Sequence, residues 1–458
     1  MKDNISVGSC DTSGAVKSSI IVRLLRGGKW AFIFRFMTSI IGFLISVLLT
    51  RVLPISDVGQ YFLALSAVSI LSVVALFGVN FSAVKLVAES VELGAQEQLK
   101  GIFLGCAAIV FFAAGLVALL FYVVLNTLPL DLGGLNYLRG EKATLIAIWM
   151  CLFSIQLFFA EFFRGLQDVF RASIFSGFLS GMLSLLILFF CWLTGFSCSL
   201  ESVVLIIIIS NFVACIIPGY ELLSRFWSAS FCIPWRKIVI VSMPLWITNL
   251  MLVVLLQADI WILSFYADGA AVALYGAASR FTQFLTLPLM VVNMALMPII
   301  SELYVRGDVS RLENILRATA SVAFLPALFV IVAFLFVGRD VLDFVYGPGY
   351  VDAYYVLLIL SAGQLVSVAC GSAGYALMMT SKQRAMMWIT ISCGALSVTL
   401  SLLLVSNYSA LGVAIASAFG LSLQGVLMLF WVKSGIGIWT FPVVGLLFRP
   451  RRILSYFD

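Results

Sequence analysis

Three ionisable residues carry the chemistry this sequence offers. Arg35, Asp259 and Arg280 each sit inside a stretch otherwise dominated by Phe, Ile, Leu, Val and Ala. A guanidinium in such a place is a donor fork for phosphate or sugar oxygens through charge-assisted hydrogen bonds. A carboxylate there is a counter-ion, or a group that takes up a proton or a sodium ion. On a helical wheel Ser39, Gly42, Ser46 and Thr50 fall within about 60° of Arg35, a polar or small stripe that reads as a cavity wall. The same stripe also suits close helix packing, with Arg35 reaching back to the headgroups. Asp259 and Arg280 flank a turn near Asp268-Gly269 at similar depths, about 14 and 17 Å from it. An ion pair between them would leave neither charge alone in hydrocarbon. Gln283 shares the face of Arg280 and Asn249 lies within about 80° of Asp259, which makes both candidate sugar or ion ligands.

The elements that must hold these groups follow from composition. Of 458 residues, 63% are hydrophobic and 10% charged, with a mean hydropathy of +1.14. No soluble core hides that much apolar surface, so the expected fold class is an all-α, multi-pass membrane protein. The chain has no histidine, which removes Ser-His-Asp hydrolysis, histidine-ligated zinc and histidine proton relays. We expect no metal site and no catalytic residue. Nine cysteines are scattered without a CxxC pair and read as reduced core residues, although Cys191 and Cys198 could meet at one rim.

Windows free of Asp, Glu, Lys and Arg mark the spans, because a mid-bilayer charge costs about 2.5–3.5 kcal/mol. They run 58–84, 101–130, 143–160, 172–200, 202–220, 238–258, 281–301, 318–338 and 353–381, and 385–432 offers 48 uncharged residues in a row. One helix of that length would be roughly 72 Å long, over twice the hydrocarbon thickness. It must fold back, and Asn407-Tyr408-Ser409 is the expected turn. With a first span at about 30–53, twelve helices result. The piece 434–448, short and containing Pro442, reads as interfacial.

Threaded this way, 21 of the 27 Lys and Arg fall on one side. Four (Arg51, Arg139, Lys142, Arg339) fall on the other, and Arg35 and Arg280 remain inside spans. The positive-inside rule places both termini in the cytoplasm. The first 29 residues are polar, then basic, and do not read as a cleavable signal peptide; their basic end can touch anionic lipid headgroups. Topology accounts for the net charge of +6 without nucleic acid. At the outer rim Arg51 and Asp57 read as a loop salt bridge or as an outer-gate contact. At the inner rim Glu161, Arg164, Asp168 and Arg171 read as helix-end charges or as a cationic entrance. The GxxxG pairs Gly101–Gly105 and Gly177–Gly181 read as helix packing, and Gly347-Pro348-Gly349 as an outer turn.

The two halves resemble one another. Val58-Gly-Gln-Tyr61 matches Val272-Ala-Leu-Tyr275 at an offset of 214, while Glu89 and Glu302, Leu99 and Leu312, and Arg171-Ala172 and Arg384-Ala385 match at 213. Six helices apart, the repeats insert with the same orientation, about an axis along the membrane normal. The expected organisation is a cytoplasmic arm (1–29), two six-helix lobes (30–224 and 238–433), a linker (225–237) and a tail (434–458).

The segments RVLPISDVGQYFLALS, LLQADIWILSFYADGAAVALYGAASRF, LMPIISELYVRGDVSRLENILR and VLDFVYGPGYVDAYYVLLILSAG carry a family resemblance. The chain resembles the polysaccharide transporter branch of the multidrug/oligosaccharidyl-lipid/polysaccharide exporter superfamily, especially the Wzx-type oligosaccharide flippases, from about residue 25 to 433. The resemblance implies a V-shaped pair of lobes around a central cavity, in a bacterial inner membrane. It also implies alternating access for an undecaprenyl-diphosphate-linked glycan, destined for O-antigen, capsule or exopolysaccharide. A polysaccharide polymerase and a chain-length regulator are the implied partners, beside membrane lipids. No cofactor is expected beyond a coupling ion, H+ or Na+. The alternative is a cation-coupled multidrug or small-molecule antiporter of the same superfamily. Two membrane-embedded arginines against one aspartate favour an anionic cargo, since organic cations would call for carboxylates or aromatic cages. A membrane enzyme would need a large outer loop with acid/base groups. The longest such loop, about 126–142, holds only Asp131, Arg139, Glu141 and Lys142.

Overall fold

Inside a bilayer no water satisfies backbone N–H and C=O groups, so a spanning chain must be helical or form a closed barrel. The computed structural model describes residues 12–93, 96–127, 133–196, 198–226 and 233–443, and among them every element is helical. The first half contains α1 (Thr12–Val52), α2 (Ile55–Leu76), α3 (Val79–Glu92), α4 (Gln96–Thr127), α5 (Glu141–Gly165), α6 (Val169–Ser173), α7 (Leu179–Thr194) and α8 (Leu200–Phe226). The second contains α9 (Trp235–Tyr266), α10 (Gly269–Arg306), α11 (Val309–Tyr346), α12 (Tyr354–Ala369), α13 (Ala373–Met379) and α14 (Gln383–Ile436).

These make the expected twelve crossings. α2 and α3 form one crossing bent at Phe77-Gly78, where both φ angles are positive (47° and 72°). α6 passes through a π-helical turn (Ile174–Phe178) into α7, and α12 is extended by α13. The 54 residues of α14 reverse at Ser409 (φ 47°, ψ −128°), inside the expected Asn407-Tyr408-Ser409 turn, and count as two crossings. Ten of the described helices are long and apolar enough to span a membrane as they stand. Two boundaries differ from expectation. The first helix starts at Thr12 instead of near residue 30, so the basic arm is part of α1 from that point. Residues 437–443 leave the helix and return to the bundle, where Thr440 bonds the Cys370 carbonyl (2.7 Å) and the Val443 amide bonds Ser321 (2.9 Å). Residues 1–11 of the expected arm, 227–232 of the linker and 444–458 of the tail lie outside the described residues.

The repeat is visible in the turns. Gln167 (φ 63°) and Ser381 (φ 62°) are left-handed residues 214 positions apart, as are Gly195 (φ 66°) and Ser409. Short 3-10 turns at Gly133–Leu138 and Pro348–Ala353 stand 215 apart and occupy equivalent connections. Gly347-Pro348-Gly349 opens the second of these, as a turn.

One end of the bundle carries the 164–171, 306–317 and 382–384 connections and is called the basic rim here. The opposite rim carries residues 51–57, 133–140 and 347–353. Toward the opposite rim a single apolar core joins both halves, from Leu48 and Leu49 of α1 and Phe62 of α2 to Phe281 of α10 and Tyr346 of α11. Toward the basic rim it divides. One core (Val79, Phe103, Phe158, Phe162) is built by the first half with Ile238 from the start of α9, and a separate one (Ile300, Leu312, Leu377, Val432) belongs to the second. A cleft between the halves therefore opens at the basic rim and closes at the other. α9 bridges them along one side: Ser242 bonds Ser82 (2.7 Å), Trp246 the Val73 carbonyl (3.0 Å), Trp261 Ser66 (2.9 Å) and Lys237 Glu89 (3.1 Å).

The closed end depends on close approach of α2 and α10. A Cβ at Gly59 would lie 1.8 Å from the Gly269 carbonyl oxygen, and one at Gly276 would lie 2.4 Å from the Phe62 ring. The first obstacle is backbone and cannot rotate away. Gly59→Ala should therefore destabilise the protein by about 1–3 kcal/mol, the usual range for overpacking, read as a lower Tm of the purified protein in nanodiscs. An unchanged Tm would contradict this packing of α2 on α10.

Candidate functional site

The cleft ends at an aromatic plug built from both halves. Phe43 of α1 meets Phe281 and Phe284 of α10 (5.1 and 5.0 Å between centroids), and Phe281 meets Phe334 and Tyr346 of α11 (5.8 and 5.4 Å). Ser46 lies 3.1 Å from the Tyr346 hydroxyl. Beyond the plug, Arg51 donates to the carbonyls of Phe344 and Val345 (2.5 and 3.2 Å). These are end-of-helix acceptors of α11, where a cation also meets the negative end of the helix dipole. The expected loop salt bridge between Arg51 and Asp57 does not form. Asp57 accepts instead from Gln60 (3.4 Å) and Ser56 (3.5 Å) on its own helix. Arg51 is thus a contact between the halves at the closed rim.

Arg280 lies at the apex of the cleft, one residue before Phe281 of the plug. Its guanidinium stands 5.7 Å from the centre of the Phe62 ring and within electrostatic range of the Tyr61 and Tyr346 hydroxyls. Arg280 is half-buried. Among the described residues, no carboxylate is in ion-pair contact with it and no acceptor in hydrogen-bond contact. Gln283, one turn toward the basic rim on the same face, is exposed. On α1, Arg35 lies within about 20° of Ser46 around the helix and roughly 16 Å closer to the basic rim. Ser46 meets the second half, so Arg35 is on the face that has parted from it, and it is exposed without an ion pair among the described residues. Ser39, one turn further along, is half-buried. The opposite side of α1 packs on α6 and α7, with Phe34 against Phe170 and Phe178 and Ile41 at Gly181. The Gly177–Gly181 pair is therefore a packing surface, as expected.

The structure does not pair Asp259 with Arg280. Asp259 accepts from the Tyr275 hydroxyl at 2.6 Å, and Tyr275 lies 3.5 Å from Ser417 of α14. Tyr275 precedes Arg280 by five residues, which puts the two about 140° apart around α10. Tyr275 faces into the second half toward α9 and α14, whereas Arg280 faces the seam with α2. Asp259 is thus held in a three-helix network inside the second half. Tyr275 and Ser417 were not singled out by sequence reasoning, although matched depth across the hairpin called for some donor on α10. Asn249 is half-buried on α9.

At the basic rim two arginines of the first half are paired. Arg164 bonds both carboxylate oxygens of Glu161 (2.5 and 2.6 Å), and Arg171 bonds Asp168 and Glu221 (3.4 and 2.6 Å). These are helix-end pairs, and Arg164 is not a free cation at an entrance. Cys191 and Cys198 lie together near the opposite rim as free thiols.

Comparison with known proteins places this geometry. The family of polysaccharide biosynthesis proteins matches residues 24–304, and the MatE family matches residues 244–403. No match is found among curated proteins. Among solved structures, an inward-facing multidrug resistance MATE family transporter of the MOP superfamily superposes with a TM-score of 0.70 at 14% identity, over 87% of this chain and 94% of that one. The lipid II flippase MurJ in an inward closed conformation gives 0.65 at 14% identity, over 93% and 91%. A MOP superfamily transporter from Pyrococcus furiosus, described by a binding pocket of reverse polarity, gives 0.59 at 14% identity, over 91% and 95%. At such identities the likeness is one of fold, two six-helix lobes about a central cavity. The sequence match covers more than half of the chain, and the protein belongs to the polysaccharide biosynthesis protein family, on the fold of the MOP superfamily.

Proposed function

We propose that the protein is a flippase. It moves an undecaprenyl-diphosphate-linked oligosaccharide repeat unit across the bacterial inner membrane by alternating access, for synthesis of a surface polysaccharide such as O-antigen or capsule. The observation that carries this reading is Arg280, a cation without a counter-ion among the described residues, at the apex of a cleft. Exposing such a group in hydrocarbon costs about 2.5–3.5 kcal/mol, and a diphosphate is the anion that offsets the cost while the lipid tail stays in the bilayer. The positive-inside bias makes the basic rim cytoplasmic, so the cleft faces the compartment where a sugar nucleotide-built repeat unit is assembled.

In this mechanism Arg35 draws the diphosphate into the cleft, and Arg280 takes it by charge-assisted hydrogen bonds. Gln283, Ser39 and Asn249 supply polar contacts to sugars. Release outward requires the aromatic plug and the Arg51 contacts to part, with the lobes 30–224 and 238–433 rocking about the α9 seam while the basic rim closes. Asp259, enclosed by Tyr275 and Ser417, is the coupling carboxylate, for H+ or Na+, and its separation from Arg280 keeps ion and cargo at different places. A second reading, cation-coupled export of small molecules, is favoured by the MatE match over 244–403. A cleft whose buried charge is cationic argues against organic cations as its cargo.

Arg280→Ala should insert normally and lose translocation, with lipid-linked repeat units accumulating on the cytoplasmic leaflet and surface polysaccharide absent. Arg280→Lys should retain part of the rate, since an ammonium keeps the charge and loses the bidentate fork. Normal surface glycan in Arg280→Ala would sink the proposed role. Unchanged glycan with altered drug sensitivity in a deletion strain would favour the second reading. Because Asp259 and Arg280 do not touch, the exchange Asp259→Arg with Arg280→Asp should fail to restore transport lost in either single variant; rescue in the same assay would reinstate the ion pair. Tyr275→Phe, which removes one donor to a buried carboxylate, should cost about 1–3 kcal/mol of stability in thermal unfolding.

A further inference from the structure

The second half carries a pocket at the basic rim whose lining includes none of Arg35, Ser39, Arg280 or Gln283. It measures about 610 Å³ and is lined by Lys382, Gln383, Arg384, Trp388 and Trp431 where the turn after α13 meets the two ends of α14. We infer that this pocket binds the phosphate of a lipid headgroup in the leaflet at that rim. The inference is independent of what the central cleft carries.

Three observations support it. First, Lys382 and Arg384 are exposed, and among the described residues neither has a carboxylate in ion-pair contact. Second, Trp388 and Trp431 keep 63% and 49% of their surface exposed beside them. Tryptophan favours the headgroup level, where an apolar ring and a wet N–H are both accommodated, and basic side chains there attract anionic lipids. Third, the equivalent corner of the first half is built differently. There Arg171 is clasped by Asp168 and Glu221. The repeat offset of 213 or 214 places Ser381 or Lys382 where the first half has Asp168 and Ser434 or Gly435 where it has Glu221, and none of these is acidic. Position 435 faces the same site: a Cβ there would lie 3.9 Å from Lys382 Cε. One repeat thus closes its corner with carboxylates. The other has no carboxylate at either place and carries cations beside a cavity.

The chemistry recognised is a phosphate or diphosphate monoanion or dianion on an apolar tail, so either a resident phospholipid or the polyprenyl diphosphate cargo can supply it. The test uses the purified full chain with dioleoyl phosphatidylglycerol, dioleoyl phosphatidylcholine or undecaprenyl diphosphate, and native mass spectrometry reads the lipid retained. The wild type should retain phosphatidylglycerol in preference to phosphatidylcholine. Lys382→Ala with Arg384→Ala should weaken that retention about thirtyfold, as the loss of two interfacial cations implies. Gly435→Glu, which puts a carboxylate beside Lys382, should weaken it similarly. Arg339→Ala, at the opposite rim, should leave it unchanged. Thermal unfolding of each variant separates lost binding from lost folding. Displacement of phosphatidylglycerol by undecaprenyl diphosphate, with the same residue dependence, identifies the pocket as a cargo-loading site; retention without displacement identifies a resident-lipid site. Equal retention of phosphatidylcholine and phosphatidylglycerol, or unchanged retention in folded Lys382→Ala/Arg384→Ala and Gly435→Glu proteins, overturns the inference.

Discussion

A bilayer core offers a guanidinium neither water nor a counter-ion, and that constraint organises this molecule. Most basic residues lie at the rims, where several are clasped by carboxylates. Arg280 is held where that arrangement fails, between two lobes whose shared core ends beside it. The helices around it could have provided a carboxylate, since Asp259 lies at similar depth on the neighbouring helix. They turn that carboxylate to Tyr275 instead. A cation left this way is tolerable where water or an anion can reach it, and the division of the core toward the basic rim provides that access.

The same division accounts for the contacts at the other end. With the cleft open on one side, the lobes are joined on the other by rings stacked edge to face, by Ser46 against Tyr346 and by Arg51 on the last carbonyls of α11. Each of these is small, on the order of 0.5–1.5 kcal/mol for an aromatic pair. A closed end assembled from many such contacts, with no salt bridge across it among the described residues, is one that can part and re-form. The glycines at 59 and 276 let α2 and α10 approach closely enough to make it.

Much of this fold was legible in the sequence because the bilayer writes its rule in charge. Charge-free windows marked the spans, the excess length of 385–432 required a reversal, and the reversal occurs at Ser409. The repeat offset of 213–214 reappears in the left-handed turn residues. The partners of individual polar groups were less legible, for two physical reasons. Residue counts along a hairpin give depth and not direction around the helix, so Asp259 and Arg280 matched in depth while facing about 140° apart through α10. Arg51 found backbone carbonyls at a helix end 293 residues away, an acceptor that leaves no mark in side-chain composition. The start of α1 at Thr12 was missed because a polar and basic segment carries no hydropathy signal.

The central claim is that the cleft beside Arg280 opens to the cytoplasm and holds a diphosphate. Gln283 is one turn from Arg280 on the same exposed face and can report on both points without removing the guanidinium. In a background with the native cysteines replaced by serine, Gln283→Cys would be labelled by a membrane-impermeant maleimide applied from either side of oriented vesicles. Labelling from the cytoplasmic side, slowed by an undecaprenyl-diphosphate oligosaccharide and not by a lipophilic organic cation, is the predicted result. Labelling only from the opposite side, or protection by the organic cation and not by the diphosphate, would contradict it.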